Sequence, residues 1–125
     1  MTSLIKADNI AKADGTSEVA TEYVTQGSAK AFVQFDGTAG TISAGESLNT
    51  ASLTDLGTGH YRQNLTSAMA TTTYVPTGNA SDNSGVSPWG MQSPATFSLD
   101  MRTTNLAGAA GDRPNISFLI HGDLA

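Results

Sequence analysis

Ala29-Lys30-Ala31-Phe32-Val33-Gln34-Phe35-Asp36-Gly37-Thr38 decides the fold class. Ala31, Val33 and Phe35 alternate with Lys30, Phe32 and Gln34, a period of two that places one set on each face of a strand. Asp36-Gly37-Thr38 then turns the chain, because Asp bonds its own backbone and Gly takes conformations closed to other residues. The same grammar recurs downstream. Thr41-Ile42-Ser43 is expected as a short strand closed by Ala44-Gly45, and Leu48 to Thr54 as the next. Asp55-Leu56-Gly57-Thr58-Gly59 reads as a hairpin turn. Beyond it, Tyr61, Gln63 and Leu65 alternate with His60, Arg62 and Asn64. Thr72 to Thr77 follows, its Pro76 pointing to an edge or a strand end.

Asn79 to Pro94 reads as a long polar loop holding Trp89, and Thr103 to Pro114 as a Gly/Ala/Asn loop. Between and after them, Phe97, Leu99 and Met101, then Ile116, Phe118 and Ile120, alternate as the closing strands. About seven short strands punctuated by turns predict an all-β fold, an antiparallel, jelly-roll-like β-sandwich over residues 29–125. Residues 1–28 stand apart as an N-terminal extension. Glu18 to Gln26 is expected to form a short helix stopped by Gly27, too short to hold without docking on something.

Composition agrees. In 125 residues, 38% are hydrophobic and 14% charged, and Ser plus Thr make up about a quarter. Disorder normally couples low hydrophobicity to high charge, which this chain lacks. The core is thin, with 4 Phe, 3 Tyr, 1 Trp and no Cys to staple it, so burial between identical subunits is expected to add stability. Net charge is −5 with six scattered basic residues, which argues against nucleic acid. No apolar run approaches the roughly 20 residues that span a bilayer. Met1 to Lys12 lacks the pattern of a signal peptide, so synthesis in the cytoplasm is expected.

Several segments together resemble a domain of phage tail-fibre-like proteins, notably those of marine tailed phages. Gly27 to Thr38 is similar to that domain's opening, with its Ala-Lys-Ala core at Ala29–Ala31. Leu48 to Tyr61 follows with Asp55-x-Gly57-x-Gly59-x-Tyr61, then Thr66 to Met69 and Tyr74. The strands at Phe97–Met101 and Ile116–Gly122 match the closing pair. Phe32 stands where the family has Trp, His60 where it has an acidic residue, and Ala70 where it has Pro. The resemblance implies a virion appendage, a homotrimer with a C-terminal β domain, and brings no catalytic residues; residues 1–28 are then expected to attach it to other phage virion proteins.

The expected role is therefore a structural protein on the phage particle surface, binding the host by a glycan or receptor. Repeated copies would multiply weak contacts. The alternative is a capsid decoration, cement or head-fibre protein. A small polysaccharide-active enzyme is least favoured. It would need two carboxylates about 5–9.5 Å apart in a cleft, and Asp36, Asp55, Asp82 and Asp112 sit in turns. No Ser lies in a nucleophile elbow, and no glycine run has phosphate-loop context. His60 and His121 fall on different strands without ligand partners at metal spacing, so neither metal nor cofactor is expected. Candidate receptor or partner contacts fall in the two long loops: Asn83, Trp89, Met91, Asn105 and Arg113, where the Trp89 ring either anchors its own loop or, turned outward, stacks on a sugar or fills a partner's pocket.

Overall fold

The computed structural model describes residues 5–82, 85–87 and 89–125. In chain order the elements are β1 (Asn9–Ile10), β2 (Val19–Ala20), α1 (Thr21–Gly27), β3 (Ala29–Phe35), β4 (Ala44–Leu48) and β5 (Thr50–Gly57). They continue with β6 (His60–Leu65), β7 (Val75–Asp82), β8 (Gly85–Ser87), β9 (Trp89–Ala95), β10 (Ser98–Thr103) and β11 (Asn115–His121). Two antiparallel sheets carry the fold, in orders β5-β6-β10-β9 and β4-β3-β11-β7-β8; β1 and β2 form a separate small pair. Among the described residues the fold is all-β apart from one short helix.

The alternation in sequence becomes the core. Ala31, Val33 and Phe35 of β3 and Ile116, Phe118 and Ile120 of β11 are buried on the inner face of the five-stranded sheet. Tyr61 and Leu65 of β6 and Leu99 and Met101 of β10 meet them from the four-stranded sheet. Phe35 and Tyr61 touch edge to face, centroids 5.2 Å apart, the geometry that aromatic quadrupoles favour. Gln63 is the polar exception. Its Nε2 donates to Thr50 Oγ1 and Thr50 Oγ1 in turn donates to Phe32 O, a polar tie from one sheet to the other.

One end of the sandwich is closed by hydrogen bonds. Asp112 Oδ1 accepts from Gly59 N at 2.7 Å and from Tyr61 Oη at 2.6 Å, and Tyr61 Oη also lies 3.2 Å from Gly37 O. Burial, then the Asp112 carboxylate, push the Tyr61 hydroxyl well above its ordinary pKa, so it stays a donor. Gly37 N donates to Arg113 O, and Thr103 N to Gly59 O. Two turns and a loop distant in sequence thus share one hub, with Gly37, Gly59 and Tyr61 buried and Asp112 at its exposed rim.

Several sequence expectations are corrected here. Thr41–Ser43 is not a strand; pairing with β3 begins only at Ala44, and Ile42 packs at the core margin. Leu48–Thr54 is not one strand either. Asn49 takes φ +53 and its side-chain amide holds Ser67 N and O, bending the chain from one sheet into the other. Asn tolerates this left-handed geometry where most residues do not. The supposed loop from Asn79 to Pro94 is largely strand, because β7 finds β11 and β9 finds β10 as partners. Partners distant in sequence overrode weak local propensity. Phe97 sits exposed at the turn between β9 and β10 rather than inside. Pro76 lies where expected, on the stretch of β7 that β8 does not flank.

Gly59 and Gly40 test the hub. At Gly59 φ is +62, and an added Cβ would lie 2.4 Å from Thr103 O; at Gly40 it would meet nothing. Gly59→Ala is expected to cost more than about 1 kcal/mol and Gly40→Ala to stay within about 1 kcal/mol of the parent, by urea denaturation. Equal stabilities would show that the hub is not the constraint described.

Candidate functional site

Because Tyr61, Gln63 and Leu65 point inward, His60, Arg62 and Asn64 must line the outer face of the four-stranded sheet. The same logic on β10 puts Asp100 and Arg102 there, between inward Leu99, Met101 and Thr103. Register then brings the two sets together: Arg62 opposite Asp100, His60 opposite Arg102, Asn64 opposite Ser98. On the flanks, Thr54 lies opposite Arg62 and Gln92 opposite Asp100.

These side chains bond along the face instead of standing free. Arg62 grips Asp100 with Nε at 2.5 Å and Nη2 at 2.9 Å, a two-pronged pair. His60 Nε2 lies 3.5 Å from the same carboxylate, and has no hydrogen-bond partner among the described residues. Asn64 Nδ2 donates to Ser52 Oγ and Thr54 Oγ1, and Arg102 Nε to Gln92 Oε1 at 2.8 Å. A polar array therefore runs from β5 to β9. Asp100 is only 4% exposed although it sits on an outer face, because Arg62 and His60 lie over it. The Arg62 hydrogen bonds hold its carboxyl below the ordinary value against the opposing effect of burial, and Asp100 raises Arg62 in turn.

Chemically, the face is a preset field of donors. Asp100 neutralises one arginine and leaves Arg102 in excess, on a chain whose net charge is −5. Guanidinium groups fixed in plane bind carboxylates and hydroxyl-rich ligands with directional bonds. Held in place, they lose little freedom on binding. No group of three His, Asp or Glu side chains that could hold a metal occurs among the described residues.

The sequence-derived candidates are not gathered into one site. Asn83 lies outside the described residues. Trp89 opens β9 opposite Thr103, its side chain outside the described set; Met91, opposite Met101, is partly exposed on that edge strand. Asn105 spends its Oδ1 on Ala107 N and Ala109 N, holding its own loop closed. Arg113 is turned inward, contrary to a role as an outward contact. It is 7% exposed, paired through Nη1 with Asp82, and donates from Nε to Thr104 O at 3.1 Å. A buried guanidinium beside a carboxylate is a pin for the loop. Arg62, Asp100, Arg102 and Gln92 were not singled out from the sequence. Their signal was the charge at outward positions of two strands, but only register shows that the strands are neighbours.

Asp100→Asn tests the electrostatics. A carboxyl whose folded pKa is lowered adds stability above its unfolded value, and loses it as pH falls through the lowered one. Wild type is therefore expected to exceed the variant in urea midpoint at pH 7, the gap closing below about pH 4; a gap independent of pH would remove the ion pair from the account. No family model, curated protein or solved structure matches this chain.

Proposed function

We propose that this chain is a structural protein of a tailed bacteriophage particle, a tail-fibre or tail-appendage component that attaches to the host surface by binding rather than catalysis. The sequence resemblance supports the particle assignment. The observation that carries the binding role is the hydrogen-bonded polar face of the four-stranded sheet, centred on Arg62, Asp100 and Arg102. Such a face suits saccharides bearing hydroxyl and carboxylate groups, with the surplus cation favouring acidic chains. A trimer would present it three times, so that weak contacts add through avidity. A jelly-roll-like topology fits the same reading: β3 pairs with the last strand, β11, while β6 pairs with β10 inside that closure.

The second reading is a decoration or cement protein on the phage head. It is favoured by the apolar side chains left open on the other sheet and on the N-terminal segment, such as Phe32, Leu48 and Tyr23. Gold-labelled antibody on intact particles separates tail from head.

Binding is tested on immobilised host-surface glycans. Arg102→Glu lies on an exposed side chain, so the β-sheet circular dichroism is expected to stay unchanged while binding to acidic glycans falls by roughly tenfold or more. The wild-type interaction is expected to weaken with salt, as exposed charge contacts do. Undiminished binding by the variant would move the site elsewhere, and shortened glycan products would make the protein an enzyme.

A further inference from the structure

The outer face of the five-stranded sheet differs from its polar counterpart. Register sets Leu48, Phe32 and Leu119 side by side across β4, β3 and β11, with Thr77 of β7 next in the row. Phe32 and Leu48 remain open to solvent, Leu48 at 47%. Beside the row lies a shallow depression of about 390 Å³, lined among others by Phe32, Gln34, Thr77, Asn79 and Leu119. An apolar row rimmed by amides and hydroxyls is the usual makeup of a surface that another chain covers.

Residues 5–27 present the complementary problem. They fold into the β1–β2 pair and α1, yet α1 buries none of its residues. Ile10, Val19, Tyr23 and Val24 are exposed, Tyr23 at 69%. A seven-residue helix and a two-residue strand pair have no stability of their own in water. Lys30 fixes where this arm leaves the sandwich: its ammonium group donates to Ser28 O at 2.9 Å, to Ser28 Oγ and to Thr25 O. Lys30 lies two residues before Phe32 on β3 and so on the same face, which puts the arm's departure at the corner of the apolar face. Even so, among the described residues of one chain α1 stays bare and the row stays open.

We propose that the arm of one copy packs on the Leu48–Phe32–Leu119 row of a second copy, with Tyr23 and Val24 as its anchors. Size supports this occupant. A stable interface takes roughly 20–30 residues from each side, and residues 5–27 supply a segment of that length. The contact joins two different surfaces, so it runs head to tail from copy to copy. It goes beyond the particle reading, since it would hold equally on a tail or a head.

The chain has no cysteine, which permits a clean crosslinking test. Full-length Tyr23→Cys and Phe32→Cys chains are mixed and oxidised. The expected product is a mixed disulfide between the two variants, in clear excess over either self-pair. Separately, Phe32→Asp is expected to shift the wild-type oligomer toward monomer by roughly tenfold or more in dissociation constant, with its circular dichroism unchanged. The proposal is overturned by a monomeric wild-type chain in sedimentation analysis. It is equally overturned by a disulfide that forms within single chains carrying both cysteines, or by Phe32→Asp leaving the oligomer intact. Particle location and glycan binding are read by their own experiments, gold labelling and the Arg102→Glu variant, so a failure here is told apart from a failure there.

Discussion

Everything in the fold turns on Tyr61. Its ring meets Phe35 across the gap between the sheets, and its hydroxyl reaches Asp112, which in turn holds the turn at Gly59. One side chain thereby joins the apolar core to the polar closure of the sandwich end. Hydrophobic burial alone is non-directional and would let two small sheets slide. The hub removes that freedom, because the buried hydroxyl of Tyr61 and the carboxylate of Asp112 at its exposed rim have each other as assigned partners. Gly37 and Gly59 crowd against it so closely that side chains there would collide with Tyr61 and Thr103.

Alternation made the inner faces legible. Ala31, Val33 and Phe35, Tyr61 and Leu65, and Ile116, Phe118 and Ile120 could all be assigned to a core from their spacing, and all are buried. The helix was legible too, to within a few residues. Illegible were the places where a distant partner decides. Asn49 looks like an ordinary strand residue until Ser67 is seen to hold its amide. The stretch from Asn79 to Pro94 looks like loop because its polar residues and glycines are poor strand formers, and only pairing with β11 and β10 makes them strands. Arg113 looked available because it follows a glycine-rich loop, but Asp82, 31 residues earlier, draws it inside.

The candidate site was hidden for the same reason. Arg62 and Asp100 are far apart in sequence, and nothing local to either suggests an ion pair. Their encounter requires β6 to lie beside β10, a connection that the intervening strands of the other sheet make possible. Chemistry on a sheet face is assembled by register, and register between non-consecutive strands is what a sequence conceals.

The two outer faces then divide the surface by chemistry. On the four-stranded sheet the polar groups are mutually bonded, so the face keeps its shape without a partner and can meet a hydrated ligand at small cost in order. On the five-stranded sheet Phe32 and Leu48 stay exposed, and the cost of that exposure falls when another surface arrives. A face that is satisfied alone suits transient contact with something outside; a face that is unsatisfied alone suits a lasting contact within an assembly. With Tyr61 and Asp112 holding the sheets in one relation, both faces are displayed in a fixed geometry, so whatever orders the subunits through one also sets the direction in which the other points.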